Sequence, residues 1–177
     1  MNFTGMAEMT RLEVIRTYLQ MMHRSELISA KLADECVRVE RVLECPPSFF
    51  RYLYREVGRQ YHWVDRLEWT DEQICQYLSQ PSVSLWLLFY TGAPAGYFEL
   101  RQHEDGSVEI AYFGLLKEFQ GRGLGKHLLT IAVEQGWQLG ANRLWVHTCT
   151  LDHSAALPNY CNRGFKPFRQ ETYVVNS

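Results

Sequence analysis

Gln120, Gly121, Arg122, Gly123, Leu124, Gly125 and Lys126 carry the densest chemistry in this chain. Three glycines in five residues, with two cations interleaved, allow successive backbone N–H groups to curl round an anion. A helix-like run follows from Leu124, so its positive end points at the same place. The spelling excludes two common phosphate loops. A Walker loop needs Ser or Thr after its Gly-Lys pair, and Gly125-Lys126 is followed by His127. A dinucleotide fingerprint starting at Gly121 needs glycine at position 126, which is Lys126. A Gln-x-x-Gly-x-Gly turn remains: a phosphate-gripping turn of another kind, or a glycine-rich turn without a ligand.

A second group gathers near residue 150: His147, Cys149, Asp152 and His153. His147 and Cys149 share one face of a strand, but the spacing fits no common zinc template, so no metal is expected. These side chains are expected to line a substrate cleft instead. Glu109 lies on the strand-like run before the glycine turn, and Tyr160 lies in a short helix-like run after the cluster.

The elements around these residues can be read from periodicity. A first strand is expected within Leu12 to Leu19, and a second over Val37, Val39 and Val42. After Cys45-Pro46-Pro47-Ser48, helical spacing of Phe49, Phe50, Leu53, Tyr54 and Val57 predicts a helix stopped by Gly58. Thr70-Asp71-Glu72-Gln73 spells a capping box for a helix ended by Pro81. Leu85 to Tyr90, Ala95 to Arg101 and Val108 to Leu116 read as a three-strand meander, turned at Thr91-Gly92-Ala93-Pro94 and His103-Glu104-Asp105-Gly106. The glycine turn and its helix, with Gly140 as the stop, lead to a strand over Leu144 to Thr150. A short helix near Ala155 to Asn162 and a last strand near Phe165 to Val174 complete the chain. From the second strand the order is β-α-α-β-β-β-α-β-α-β, an α/β class with a mixed, mostly antiparallel sheet and helices on both faces.

Bulk properties narrow the function. The 177 residues suffice for one domain, and 46% hydrophobic with 21% charged residues is an ordinary globular balance. A net charge of −2 offers no electrostatic case for nucleic acid or an anionic membrane. The longest apolar run, Leu85 to Tyr90, is too short to span a bilayer, and the first twenty residues do not read as a signal peptide. Five scattered cysteines fit reduced thiols, and hence a cytoplasmic location.

The glycine turn and the order of elements together resemble the GCN5-related N-acetyltransferase (GNAT) family over roughly residues 37 to 173. One domain over 1–177 is expected, with 1–36 as an N-terminal extension carrying an extra strand. The resemblance implies acetyl-CoA as cosubstrate, with its pyrophosphate on Gln120, Gly121, Arg122, Gly123, Leu124, Gly125 and Lys126. It implies that the strand before the loop parts from its neighbour at Phe113-Gly114-Leu115, so that free backbone groups pair with the pantetheine arm and polarise the acetyl carbonyl. In the histone-modifying branch a general-base glutamate stands eleven residues before the loop's glutamine, which is Glu109 here. The position of the other base used in the family is Thr148, which cannot serve. Tyr160 in Tyr160-Cys161-Asn162-Arg163-Gly164-Phe165 matches the family's Tyr-x-x-x-Gly-Phe acid, and Ala156 its small residue. His153 stands where many relatives carry an asparagine that touches pantetheine, and Pro158 falls near the start of the expected helix.

The implied activity is direct acetyl transfer to a primary amine of a small molecule or peptide in a ternary complex. The alternative in another class is a non-catalytic acyl-CoA-binding sensor of the same fold, and a third is a metal hydrolase built on the His/Cys cluster. In the family the first two helices and their loop bind the acceptor. Here that region holds Phe50, Tyr54, Tyr61, His62, Trp63 and Trp69, with Arg55, Arg59 and Asp65, as either an acceptor wall or core. No nucleic acid or membrane partner is expected, and the protein is expected as a monomer or homodimer.

Overall fold

The computed structural model describes residues 11–176. Residues 1–10, part of the expected N-terminal extension, and Ser177 lie outside the described residues. The elements are β1 (Arg11–Met21), β2 (Val37–Val42), α1 (Pro47–Gly58), α2 (Asp71–Leu78), β3 (Val83–Tyr90), β4 (Ala93–Gln102), β5 (Ser107–Leu115), α3 (Leu124–Gln138), β6 (Arg143–Cys149), α4 (Ala156–Asn162) and β7 (Lys166–Asn176). Short 3₁₀ turns occupy Arg24–Glu26 and Lys117–Phe119. Among the described residues no helix is long and apolar enough to cross a membrane.

The seven strands form one sheet in the order β2-β3-β4-β5-β6-β1-β7. Every neighbouring pair is antiparallel except β5 with β6. Helix α3 covers one face through Leu124, Leu128, Leu129, Ala132 and Val133, packed with Phe98, Leu100, Ile110 and Val146. Helices α1 and α2 cover the other face, where Phe50, Leu53, Val57 and Ile74 pack on Leu85, Leu87 and Tyr97. Strands β3 and β4 are thus buried on both sides, which explains the unbroken apolar run Leu85 to Tyr90.

The capping box forms as its spelling requires: Thr70 accepts from the Gln73 amide and the Gln73 side chain accepts from the Thr70 amide. Pro158 sits in α4 two residues after its start and the helix continues past it. Helix α1 ends at Gly58 as expected, and a Cβ there would meet the ring of Trp63.

The first strand takes an unexpected place. β1 inserts between β6 and β7 and pairs with both over most of its length, from Arg16↔Cys149 to Met21↔Leu144 on one side and from Arg11↔Asn176 to Gln20↔Lys166 on the other. The N-terminal segment is therefore an interior strand of the sheet, with Val14, Leu19 and Met21 fully buried.

Candidate active site

The site begins where two parallel strands part. β5 and β6 pair only from Ser107↔Arg143 to Glu109↔Trp145. Immediately beyond, the β4–β5 register slips, because Glu99 faces Tyr112 while Leu100 faces Ile110, which makes Ala111 an extra residue. A bulge bends its strand and increases the local twist. Here it carries the rest of β5 away from β6, leaving residues 110–115 without a strand partner on that side among the described residues. The bulge also puts Glu109 and Tyr112, three residues apart, on one face.

A cleft of about 1230 Å³ fills the gap. Glu109, Phe113, Gly114, Leu115, Gln120, Gly121, Gly123, Gly125, Lys126, His153 and Tyr160 all line it. The side chains of two other loop residues point elsewhere. Leu124 is a core side chain, and the Arg122 guanidinium lies over the rings of Tyr90 and Phe119 at 5.7 and 5.5 Å. Gly114 serves a close approach, since a Cβ there would strike Val57 of α1.

The glycine turn has the backbone an anion site needs. Gly121 and Gly123 hold φ of 75° and 77°, the left-handed region that glycine adopts without cost. Gly123 is the N-cap of α3 and supplies no side-chain cap, so the first N–H groups of that helix have no intrahelical partner. With the helix dipole and Lys126 beside them, these groups favour a negative charge. Gln120 is tied elsewhere, its amide donating to the Tyr61 hydroxyl at 3.0 Å. Two contacts that sequence did not reveal brace the turn from behind. The Leu32 amide donates to His127 Nδ1 at 3.0 Å, and the Ala30 amide donates to Thr130 Oγ1 at 3.0 Å. Burial, then the charge of Lys31, lowers the His127 pKa and keeps that nitrogen available as an acceptor.

On the opposite wall, Asp152 folds the turn after β6 by accepting from Thr148 Oγ1 at 2.7 Å and the Cys149 amide at 2.9 Å. His153 Nδ1 accepts from the Ala155 amide at 3.0 Å, so that nitrogen is engaged in the turn before α4. Asn159 Nδ2 donates to the Gly125 carbonyl at 3.3 Å and fixes α4 to the start of α3. Tyr160 is 5% exposed, with its ring 6.0 Å from Phe113 and 6.1 Å from Phe165. Burial, and then the charge of Asp152, raise its pKa, so the phenol holds its proton.

Glu109 lies at the inner end of the split, buried, with its carboxylate 3.0 Å from His103 Nε2. His147 and Cys149 also face the cleft. Burial, then the charge of Arg16, lowers the His147 pKa, which leaves a neutral imidazole there at pH 7. Among the described residues no group of three or more His, Cys, Asp or Glu side chains is placed to hold a metal. All five cysteines are free thiols.

The aromatic loop between α1 and α2 divides between wall and core. Tyr61, His62, Trp63 and Asp65 line the cleft, whereas Phe50 and Tyr54 are core and Trp69 packs against Tyr77. The loop is fastened by an ion pair that sequence reading missed. Arg66 reaches through the aromatic layer to Glu99 on β4, with Tyr77 donating to the same carboxylate. The available signal was Glu99 itself, a carboxylate inside the apolar stretch Tyr97-Phe98-Glu99-Leu100.

Comparison with known proteins agrees with this geometry. Residues 50–165 match the acetyltransferase (GNAT) family. The chain is 31% identical over 106 residues to the uncharacterized N-acetyltransferase in the pepI 3′ region of Lactobacillus delbrueckii subsp. lactis, an alignment covering 55% of this chain and 60% of that one. It superposes on a GCN5-related N-acetyltransferase from Kribbella flavida with a TM-score of 0.66 at 17% identity, covering 94% of this chain and 59% of the other. This chain therefore spans about 60% of the length of each of these two relatives. A Bacillus subtilis acetyltransferase in complex with CoA superposes with a TM-score of 0.55 at 20% identity, over 73% of this chain and 76% of that one. An aminoglycoside acetyltransferase from an uncultured soil metagenomic sample, in complex with trehalose, gives 0.61 at 19% identity over 73% and 88%. The parted strands, the uncapped glycine turn and the match across residues 50–165 place this chain in the GNAT acetyltransferase family.

Proposed function

We propose that residues 11–176 act as one catalytic unit, an acetyl-CoA-dependent N-acetyltransferase that acetylates a primary amine of a small molecule or peptide by direct attack in a ternary complex. The observation that carries this reading is the parting of β5 from β6 directly after Glu109, in a cleft that leads to the uncapped start of α3. The free edge of residues 110–115 fits an extended amide-bearing arm, by the same backbone pairing that adds a strand to a sheet. The N–H groups of residues 121–126 fit a pyrophosphate. When bound, acetyl-CoA supplies an activated acetyl carbonyl and a thiolate leaving group.

The chain's own residues then have separate tasks. A backbone N–H of the Phe113-Gly114-Leu115 edge stabilises charge on the acetyl oxygen. Glu109, directly or through water, takes the proton that an ammonium acceptor must lose before its nitrogen attacks. The new N–C bond forms as the C–S bond breaks, and Tyr160 gives its proton to the departing sulfur. Tyr61, His62 and Trp63 form the acceptor's side wall. The fold of the aminoglycoside acetyltransferase is compatible with such acceptors, and the aromatic wall suits an amine with an apolar part.

The test is thiol release from acetyl-CoA over a panel of aryl-alkylamines, aminoglycosides and peptide N-termini. Release that depends on one class of amine, with the acetylated amine found by mass spectrometry, is the expected result. Tight acetyl-CoA binding with no thiol release from any amine would contradict catalysis and leave a binding protein.

A further inference from the structure

The turn between β4 and β5 aims a side chain at Glu109. His103 is pinned at its backbone, donating from its amide to the Ser107 carbonyl at 2.9 Å and accepting from the Gly106 amide at 3.0 Å. Its ring rests against Trp145, with centroids 5.4 Å apart. Trp145 is in turn held by its indole N–H, which points at Ser107 Oγ, 3.3 Å away. The result is a fixed imidazole whose Nε2 lies 3.0 Å from Glu109 Oε2. The His103 side chain is 29% exposed and that of Glu109 only 12%, so the imidazole is the more exposed member of the pair. Among the described residues it is the hydrogen-bond partner of this carboxylate.

We propose that His103 is the positioning residue for Glu109, holding Oε2 so that Oε1 is presented to the acceptor amine. This rests on the reading of Glu109 as the base. A donor to the charged form of a carboxylate stabilises that form. Loss of the His103 donor therefore leaves the carboxylate free to turn away from the acceptor amine. Other charges surround the pair: Arg101 is paired with Glu109 across β4 and β5, His147 on β6 interacts with Glu109 and also with Arg16, Asp65 and Asp152, and Asp105 interacts with His103. All remain in place when His103 is changed, so a difference between the variants reports His103 itself.

The experiment compares steady-state kinetics of the wild type, His103→Ala and His103→Gln with one amine from the panel. His103→Ala is expected to lower kcat about tenfold while KM for acetyl-CoA stays constant, and His103→Gln, which keeps a donor, to recover most of that loss. The carboxyl carbon of Glu109, followed at pH 7 by carbon-13 NMR in glutamate-labelled protein and assigned by its loss in Glu109→Gln, should shift in His103→Ala and shift less in His103→Gln. An unchanged kcat in folded His103→Ala overturns the inference, and so does an equal loss in His103→Ala and His103→Gln. The underlying reading fails separately: Glu109→Gln with the wild-type rate removes Glu109 as base and this inference with it. A slow Glu109→Gln beside an unchanged His103→Ala removes the inference alone.

Discussion

Arg66 and Glu99 meet through two hydrogen bonds, 2.8 and 3.0 Å, with the arginine 8% exposed and the carboxylate fully buried. The guanidinium is stacked over Tyr112 at 4.2 Å and Tyr77 at 4.3 Å from their ring centroids. The pair joins the loop that walls the cleft to the central sheet. It fixes Tyr112, whose ring also meets Trp63 edge-on at 4.9 Å. An exposed pair would contribute little, but removing one partner here strands a buried charge.

Glu99→Gln is accordingly expected to cost about 3–5 kcal/mol of stability in urea unfolding. The triple variant Arg66→Met, Tyr77→Phe, Glu99→Leu should recover most of that loss, because apolar side chains of similar size leave no buried polar group unpaired. A loss below about 1 kcal/mol in the single variant would mean that the pair is not a fastening.

Tyr160→Phe keeps the ring packed between Phe113 and Phe165 and removes only the proton donor. Melting temperature and acetyl-CoA affinity should be unchanged, while turnover falls by about 10²-fold. Unchanged turnover would make Tyr160 a packing residue.

The brace behind the glycine turn should be sensitive to acid. His127 accepts a proton less readily when folded, while the unfolded chain takes one up near its ordinary value of 6.5. Its contribution to stability is thus complete above that pH and is lost progressively below it. A His127→Gln variant retains an acceptor for the Leu32 amide but does not titrate. Between pH 7.5 and pH 5 its melting temperature should fall less than that of the wild type. Parallel curves would show that His127 does not govern the acid limb.

Much of this was legible along the chain because local signals decide it. The capping box at Thr70, the meander from Val83 to Leu115 and the glycine turn before α3 follow from neighbours in sequence. The illegible parts depend on residues far apart. β1 finds its place through pairs such as Met21↔Leu144 and Val14↔Tyr173, which no periodicity within β1 can announce. The opening of the cleft depends on one extra residue, Ala111, and nothing in Glu109-Ile110-Ala111-Tyr112 spells a bulge. His103 lay in a stretch read simply as a turn, and its proximity to Glu109 appears only when β4 and β5 pair.

Glu109→Gln keeps the side chain's shape and removes its basicity. With one amine acceptor, turnover near pH 7 should fall by about 10²- to 10⁴-fold, at near-normal acetyl-CoA affinity. The deficit should shrink as pH rises, because more of the amine is then already neutral. A deficit that stays constant to alkaline pH would indicate lost positioning instead of lost base catalysis.

Calorimetric titration of acetyl-CoA into the wild type and Gly123→Val tests the account most directly. Valine at a φ of 77° is strained, and its Cβ would lie 3.3 Å from the Lys126 side chain at the start of α3. Both proteins should unfold cooperatively, which verifies that α3 is still formed. The wild type should bind acetyl-CoA with one site per chain, and the variant about tenfold or more weakly. Equal dissociation constants for the two folded proteins, or no binding by the wild type, would contradict the assignment of the cleft and its glycine turn to acetyl-CoA.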